Sequence, residues 1–391
     1  MWKIPSNPPH LMLGDERMLG QHVPLCLVPE IHAQRRRRLA AAVQQAGVDA
    51  ALITRLVNVQ YLTGLASSNA AVLIRSDGEA VLATDSRYVT AAKEIAPEVE
   101  IVMDRTVATT LAGRAAEGGP IKLGVEEHDV TLALAEAISE SAERAELVHL
   151  GRPVEELRIV KDKDELALIR EACAISSRAL EDVYAAGGFA GRTEKEIARD
   201  LESRMFAHGA DGLAFETIVA SGANSAIPHH RAADRIVERG DFLKIDFGAL
   251  YRGYHADCTR TSVVGAEPTV WQREIYELVA MAQRAGREAL APGVEYVAVD
   301  NAAREVIKAA GHGEHFGHGT GHGVGLEIHE APSLGYSAEG KLVDRTPVTV
   351  EPGVYVPGRG GVRIEDTLVV RDGAEPELLT TTTKDLLVLD A

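Results

Sequence analysis

The sequence predicts an α/β protein of two domains. Its 391 residues exceed the usual size of a single domain, and 46% of them are apolar, which is enough for packed cores. In the first 155 residues, short apolar runs bounded by turn residues alternate with helical patterns, as is typical of an α/β domain. After residue 210 the pattern changes to strands and glycine-rich loops, separated by two longer helices.

The charge balance and the cysteines exclude several classes of protein. The chain has 41 Lys and Arg against 58 Asp and Glu, so its formal net charge is −17 and it lacks the basic footprint of a nucleic-acid binder. The longest weakly charged stretch, residues 56–74, is interrupted by asparagine, glutamine and serine and makes a poor membrane span. Cys26, Cys173 and Cys258 are too few for a disulfide framework. We therefore expect a cytoplasmic protein without a nucleic-acid or membrane partner.

The first domain is predicted over residues 31–157, after a proline-rich extension of residues 1–30 that we expect to be irregular. Its elements follow from hydrophobic periodicity and turn residues. A helix ends at Gly47, and Asp77-Gly78 marks a hairpin between two apolar strands. In chain order the predicted elements are a helix at 31–45, strands at 50–53, 71–74 and 80–83, and helices near 86–95 and 131–145.

The second domain is predicted over residues 158–391, and the charged, polar residues 160–164 mark the nearby boundary. Thr193 and Glu196 have the spacing of a capping box, so a helix is expected to begin there. The other predicted helices of this domain span residues 164–185, 270–290 and 297–310, and strands with glycine-rich loops fill the remainder.

A predicted hairpin over residues 241–257 carries a first pair of acids. A turn centred near Tyr251-Arg252 would set Asp246 directly opposite Asp257, with their Cβ atoms about 4.5–5.5 Å apart on one face. Asp246 lies within an apolar run, where burial of an unpaired carboxylate would be costly.

A second predicted hairpin, over residues 350–366, carries another pair. Its turn is at Pro357-Gly358, which would place Glu351 opposite Glu365. Like charges directly opposite each other destabilise a sheet. Two such pairs in apolar strands therefore predict bound cations.

A histidine cluster lies between the two hairpins. Five histidines within 18 residues, interspersed with glycines, predict at least one metal ligand and a backbone packed closely at a site. They are His312, His315, His318, His322 and His329. By itself the pair His229-His230 is more typical of a surface loop.

Four carboxylates and one imidazole form an oxygen-rich ligand set, which suits two divalent ions that share bridging carboxylates. Two such ions about 3.5–4 Å apart are a common hydrolytic arrangement. Carboxylate ligands favour Mn²⁺, while Zn²⁺ or Co²⁺ would also bind. A water that bridges both ions would be acidified to hydroxide and become the nucleophile.

Five motifs in this order resemble one known family, the creatinase-related "pita-bread" metallopeptidases, which include methionine aminopeptidase, aminopeptidase P and prolidase. The resemblance covers residues 31–391. The motifs are Asp-Phe-Gly at 246–248, Ala-Asp-Cys-Thr-Arg-Thr at 256–261, His-Gly-Thr-Gly-His-Gly-Val-Gly-Leu-Glu-Ile-His-Glu at 318–330, Val-Glu-Pro-Gly-Val-Tyr at 350–355 and Val-Arg-Ile-Glu-Asp at 362–366.

The resemblance implies an N-terminal creatinase-like α/β domain, a C-terminal pita-bread catalytic domain and a ligand set for two ions. By this resemblance Asp246 and Asp257 would bind one ion, and Asp257 and Glu365 would bridge. His322 and Glu351 would bind the second ion, with Glu351 also serving as the proton shuttle.

The resemblance also implies residues on the substrate side. His229 would face the substrate, while His318 and His329 would line a proline pocket and polarise or orient the scissile amide. Arg363 falls where the family has a substrate-binding or network arginine, and Tyr355 would form part of the site wall.

Within the family, the separate first domain and the complete ligand set indicate the prolidase and aminopeptidase P branch. The expected substrate is a proline-containing peptide or dipeptide cleaved at its Xaa-Pro bond, and the family implies a homo-oligomer, most simply a dimer. Dipeptidase and aminopeptidase P remain alternatives, as do a creatinase-like C–N hydrolase and a catalytically quiet peptide-binding module. Cys258 is interpreted as strand packing, because no partner base is indicated for thiol chemistry.

Overall fold

A computed structural model describes residues 29–391 of the chain. The predicted extension, residues 1–30, falls almost entirely outside these described residues, and so does Cys26. Within residues 29–391, no helix combines the length and the apolar character needed to cross a membrane.

The first part of the chain folds around one mixed β-sheet. Within the described residues its strand order is β4-β3-β2-β1-β5-β6. The elements are α1 (Pro29–Gln45), β1 (Ala50–Ile53), α2 (Leu56–Thr63), β2 (Ala70–Arg75), β3 (Ala80–Thr84), α3 (Val89–Ile95), β4 (Glu100–Met103), α4 (Val107–Ala116), β5 (Ile121–Val125), α5 (Leu132–Ser141), β6 (Ala145–His149) and α6 (Pro153–Ile159).

Both faces of this sheet are covered by helices. In β2, Val72 and Ile74 pack into the core that includes α1 and α2, while Ala71 and Leu73 pack into the core that includes α4 and α5. Such alternation follows from the two-residue period of a strand. The predicted hairpin is confirmed, because β2 and β3 pair antiparallel across the turn at Asp77-Gly78. The sequence reading missed α2, α4 and α6.

The second part of the chain contains the remaining elements. They are α7 (Lys163–Ala186), α8 (Glu194–Ala207), β7 (Gly212–Leu213), β8 (Ile218–Ser221), β9 (Phe242–Phe247), β10 (Ala249–Tyr251), β11 (Tyr254–His255), β12 (Cys258–Val264), α9 (Val270–Glu288), α10 (Tyr296–Ala309), β13 (Gly321–Gly323), β14 (Glu330–Leu334), β15 (Pro347–Val350), β16 (Gly353–Val356), β17 (Gly360–Arg363), β18 (Asp366–Val369), β19 (Glu377–Leu378) and β20 (Val388–Leu389). The capping box of Thr193 and Glu196 is present at the start of α8.

Two sheets of this part carry the chemistry. One has the order β20-β12-β9-β8 and the other the order β14-β13-β15-β18-β19. Helices α7 and α8 pack against the first sheet through an apolar cluster that includes Leu180, Leu201 and Ile245. This packing supports β9 and β12 from behind, so their acid-bearing ends lie on a rigid scaffold.

The first acid hairpin has a different register from the predicted one. Its turn is at Arg252-Gly253, where both residues have positive φ, of 49° and 84°. This two-residue turn pairs Asp246 with Thr259 rather than with Asp257. The prediction was wrong by two residues, because a turn with two positive-φ positions was placed one residue too early. A shift of two residues preserves the face of a strand, so the Asp246 side chain stays on the predicted side.

The second acid hairpin has the predicted register. Strands β16 and β17 pair around Gly358, which has a φ of 74°. The same alignment continues in β15 and β18, where Val350 pairs with Asp366. Glu351 and Glu365 therefore occupy opposed positions between two correctly aligned strand pairs.

The two parts of the chain share an apolar core. One cluster contains Leu39 and Val59 from the first part together with Leu166 and Ile169 from α7. We retain residue 157/158 as a proposed boundary, and the shared core means that the two domains are packed firmly on each other.

His32 predicts a pH dependence of stability. Burial lowers its pKa from 6.5 to about 4, and the guanidinium groups of Arg35 and Arg36 act in the same direction. As the pH falls, the unfolded chain binds this proton before the folded protein does. This contribution is therefore complete above pH 6.5 and is lost by pH 4, which lowers the free energy of unfolding by about 3 kcal/mol.

The check is denaturant unfolding of the wild type and of His32→Gln at pH 7 and pH 4.5, both with chelator. We expect a smaller acid-induced loss of stability in the variant. Equal losses in the two proteins would show that His32 is not responsible.

Candidate active site

The five predicted ligands converge on one cavity of about 520 Å³. Each one lies at or beside a strand end, where the backbone holds it. They are Asp246 on β9, Asp257 immediately before β12, His322 on β13, Glu351 immediately after β15 and Glu365 between β17 and β18.

The ligand atoms fall into groups that could each hold an ion. One oxygen from each of Asp246, Asp257 and Glu365 lies within 4.8 Å of the others. A second group, with the same mutual limit, joins Glu365 to His322 and Glu351. Because Glu365 belongs to both groups, the arrangement offers two adjacent cation positions with a shared carboxylate.

The electrostatics of the cavity favour cations. Burial raises the pKa of Asp257 and of Glu365 well above their usual range, and the neighbouring carboxylates add to the shift. Burial also raises the pKa of Glu351. Among the described residues, Asp246 Oδ1 is buried without a hydrogen-bond partner. A divalent ion would partner this oxygen and offset the repulsion, so the residues fit the predicted metal group.

His322 presents the nitrogen that a metal requires. Its Nδ1–H donates to the carbonyl of Gly323 at 3.0 Å, which leaves Nε2 unprotonated in the neutral ring. Nε2 lies 3.5 Å from Asp257 Oδ2 and 3.4 Å from Glu351 Oε1. The backbone next to His322 packs closely against the backbone of Thr349. Only glycine at position 321 allows this packing, since a Cβ there would overlap the carbonyl oxygen of Thr349.

Arg363 is buried beside the acids, and each nitrogen of its guanidinium is bonded to a protein group. Its guanidinium forms an ion pair with Asp246 and donates to the Tyr355 hydroxyl at 2.8 Å and to Thr259 Oγ1 at 3.0 Å. Thr259 in turn donates to Glu365 Oε2 at 2.7 Å. Of the two alternatives that the resemblance left open, these contacts favour the network arginine.

His318 lines the cavity, and both of its ring nitrogens form hydrogen bonds with protein groups. Its Nδ1–H donates to the carbonyl of Gly319 at 2.8 Å, and Nε2 accepts from the Tyr355 hydroxyl at 2.9 Å. Burial lowers the pKa of His318 to about 4, and Arg363 contributes to the shift, so the ring is neutral near pH 7. These contacts favour a wall role and disfavour the predicted polarising role.

His329 differs from His318 because it has no hydrogen bond within residues 29–391. Its ring meets the His322 ring edge-on, with 4.3 Å between ring centroids. Burial lowers the pKa of His329 to about 4, so it too is neutral near pH 7. Its nitrogens are therefore available to a substrate.

The remaining histidines separate into two groups. His229 and His230 both line the cavity, and the Nε2 of His230 pairs with the buried Glu194 at 2.7 Å. His312 and His315 face each other with 3.2 Å between their Nδ1 atoms, and neither lines the cavity. Three of the five clustered histidines thus belong to the site.

Sequence reasoning missed Lys244, which shapes the loop before His229. This fully buried lysine donates to the carbonyl oxygens of Ser225 at 3.1 Å and Ile227 at 2.7 Å, and it lies 5.0 Å from the ring centroid of Tyr355. Burial lowers its pKa well below the usual range. A lysine within an apolar strand was the available signal, since buried cations need partners.

The fold and the cavity together define a two-domain protein with a cluster of carboxylates and histidine that could bind metal. Residues 167–372 match the model of metallopeptidase family M24, and residues 35–160 match the creatinase/prolidase N-terminal domain. The chain belongs to metallopeptidase family M24. The predicted creatinase-related metallopeptidase, a hydrolase of two domains, is thereby confirmed.

Three similar proteins illustrate the relationship. The Xaa-Pro dipeptidase of Pyrococcus furiosus is 37% identical over 360 residues, which cover 90% of this chain and 99% of that protein. The structure of an Xaa-Pro dipeptidase from Bacillus anthracis has a TM-score of 0.87 at 37% identity, covering 92% of this chain and all of that one. The X-Pro aminopeptidase from Thermotoga maritima gives a TM-score of 0.82 at 37% identity, covering 90% and 99%.

Proposed function

We propose that this protein hydrolyses the Xaa-Pro bond of dipeptides or of peptide N-termini with the help of two divalent metal ions. The observation that carries the proposal is the convergence of four buried or half-buried carboxylates and the free Nε2 of His322 on one cavity. The names of similar proteins, Xaa-Pro dipeptidase and X-Pro aminopeptidase, support the substrate class.

The two groups of ligand atoms and the family resemblance support the following ligand roles. Asp246 and Asp257 would hold the first ion, His322 and Glu351 would hold the second, and Glu365 with Asp257 would join them. When bound, two such ions acidify a bridging water and polarise the scissile carbonyl. Carboxylate oxygens dominate the set, so we propose Mn²⁺ as the native metal, with Zn²⁺ or Co²⁺ as substitutes.

Three side chains would act on the substrate itself. Glu351 takes the proton of the attacking water and delivers it to the departing proline nitrogen. His329 is neutral and unbonded, so its N–H can donate to the scissile carbonyl. His229, on the same cavity wall, holds the peptide in place.

The cavity also suits a proline ring. Phe215, Ile218 and Ile328 provide apolar surface beside His318 and His329. An Xaa-Pro bond has no N–H and has a fixed φ, so a site that receives the ring can select it without a backbone hydrogen bond.

The choice between dipeptidase and aminopeptidase P depends on the cavity mouth. Among the described residues that line the cavity, Arg231 is the cationic one, and its side chain is 84% exposed and paired with Glu216 at 3.2 Å. A dipeptide carries a carboxylate close to the scissile bond, which would compete with Glu216 for this arginine. A longer peptide would pass over the pair without breaking it.

The test is hydrolysis by chelator-stripped protein, with and without added Mn²⁺. Metal-dependent cleavage of Ala-Pro alone indicates a dipeptidase, and release of alanine from Ala-Pro-Ala indicates aminopeptidase P. Release of methionine alone from Met-Ala-Ala would overturn the substrate class. Turnover of creatine, or of none of these compounds with any metal, would favour the C–N hydrolase or the binding module respectively.

We also propose a cytoplasmic homodimer. Light scattering of the purified protein tests the assembly, because a dimer has twice the mass of the 41.8 kDa chain. A monomer would contradict this part of the proposal without affecting the metal chemistry.

A further inference from the structure

His329 ends the loop between β13 and β14 and lies between two acids, Glu327 in the loop and Glu330 at the start of β14. Glu327 and Glu330 bind cations that come from the first 161 residues of the chain. These pairs connect the catalytic loop to the domain junction.

Two of these cations, Arg158 and Lys161, are buried and lie close to Glu330. Arg158 Nη2 lies 2.5 Å from Glu330 Oε2 and 2.8 Å from Glu327 Oε2. Lys161 Nζ lies 2.5 Å from Glu330 Oε1. The side chains of Arg158, Lys161 and Glu330 are at most 5% exposed, so water screens these pairs little.

The clamp formed by Arg158, Lys161 and Glu330 continues into the first domain. Arg158 Nη1 donates to Asn58 Oδ1 at 2.8 Å. Asn58 Nδ2 in turn donates to Glu126 Oε1 at 2.6 Å and to Glu155 Oε1 at 2.9 Å. The catalytic loop is thus tied to α2 and α6 through an unbroken series of hydrogen bonds.

Glu126 and Glu155 also lie close to His128, in an arrangement that could be mistaken for a metal site. Arg55 Nη1 already pairs with Glu155 Oε1 at 2.9 Å, and the Arg55 N–H donates to Glu126 at 2.8 Å. Protein donors occupy both oxygens of Glu126 and Oε1 of Glu155, whereas Glu155 Oε2 has no hydrogen-bond partner among the described residues. Because three of the four oxygens are already bonded to the protein, we assign the group to the anchor of the clamp.

The backbone of the loop is built around the Glu330 carboxylate. A Cβ on Gly325 would lie 2.5 Å from Glu330 Oε1, so only glycine leaves room for this carboxylate. The Glu327 N–H donates to Glu330 Oε2 at 3.3 Å, and the Gly325 N–H donates to the Glu327 carbonyl at 3.1 Å. The clamp therefore determines the backbone path on both sides of His329.

His329 has no hydrogen bond of its own within the described residues, so the backbone of its loop and the contact with the His322 ring determine where its ring lies. We propose that Arg158 and Lys161 are positioning residues for catalysis, which hold His329 over the metal centre by clamping Glu330. This inference rests on the proposed peptidase function. It gives the domain junction, through Arg158, Lys161 and Asn58, a part in catalysis.

The test is a double-mutant cycle in the full-length, Mn²⁺-loaded protein with Ala-Pro or Ala-Pro-Ala, whichever is cleaved. Glu330→Gln should lower kcat about 10- to 100-fold with little change in KM and in bound metal, since a small displacement of a catalytic group has effects of this size. Glu330→Gln combined with His329→Ala should be no slower than His329→Ala alone.

A second variant and a matched control keep the test decisive. Lys161→Met retains the length of the side chain and should lower kcat in the same direction if Glu330→Gln folds poorly. Glu165→Gln is the control, because Glu165 is also a buried carboxylate paired with an arginine at the domain junction, at 3.1 Å from Arg35, but does not touch the loop. It should leave kcat near the wild-type value.

A crystal structure of metal-loaded Glu330→Gln gives a readout that does not depend on activity. The proposal predicts a displaced His329 ring with the ligands of the metal centre in place. An unmoved ring, additive rate losses in the cycle, or equal losses in Glu165→Gln would overturn it. Failure of the wild type to cleave either peptide would instead contradict the proposed function, and the displacement of His329 would still be measurable.

Discussion

Glu365→Gln is expected to lower kcat/KM by about 1,000-fold or more, because Glu365 belongs to both groups of ligand atoms. Its loss should release at least one ion, and with it several kcal/mol of transition-state stabilisation. The glutamine side chain fills the same space and can still accept the hydrogen bond from Thr259 Oγ1. A loss of activity would therefore come from the loss of the carboxylate charge and not from an empty space in the protein. Kinetics with excess Mn²⁺ and the metal content of the purified variant measure the two effects.

Stability should change in the opposite direction in the absence of metal. One fewer buried acid reduces repulsion, so metal-free Glu365→Gln should melt at a higher temperature than the metal-free wild type, and should gain less when Mn²⁺ is added. Glu165→Gln is the matched control, since Glu165 and Glu365 are 2% and 1% exposed, and it should retain metal and activity. A Glu365→Gln variant with near-normal turnover would contradict the two-ion site.

Arg363→Met is expected to destabilise the metal-free protein by about 3–5 kcal/mol, the usual effect of removing one partner of a buried ion pair. The change leaves Asp246 without its cation and removes the donor to the Tyr355 hydroxyl at 2.8 Å. Because the Tyr355 hydroxyl donates a hydrogen bond to His318, the His318 ring in the cavity wall should also become more mobile. Denaturant unfolding in the presence of chelator measures the loss.

Two further variants separate charge from geometry at this position. Arg363→Lys keeps the charge but loses the planar fork, so its stability should lie between those of Arg363→Met and the wild type. Arg178→Met removes an exposed arginine, paired with Glu171 at 2.9 Å, and should change stability little. An Arg363→Met variant as stable as the wild type would rule out the network role.

The sequence predicted the acid pairs because the side-chain period of a strand is two. Reflection about Gly358 placed Glu351 and Glu365 opposite each other, and the strand pairs on either side have that alignment. For Asp246 the predicted partner was wrong by two residues, yet the face was right because an even shift keeps the face. Local periodicity was therefore sufficient to collect the acids on one side of each hairpin.

Contacts between distant segments could not be read from periodicity. The pairing of Arg158 with Glu330 joins residues 172 positions apart, and that of Arg363 with Asp246 joins residues 117 apart. Lys244 appeared as an anomaly in an apolar strand, but its carbonyl partners lie in a loop with no regular pattern. The saturation of both His318 nitrogens likewise depends on Tyr355, which follows it by 37 residues.

The most direct test of the two-ion peptidase is a titration of the metal-free wild type with Mn²⁺, in which bound metal and hydrolysis of Ala-Pro and Ala-Pro-Ala are measured in the same samples. The proposed site predicts no activity without metal and full activity only as occupancy approaches two ions per chain. Full activity in the metal-free protein, or complete activity at one ion per chain, would contradict it.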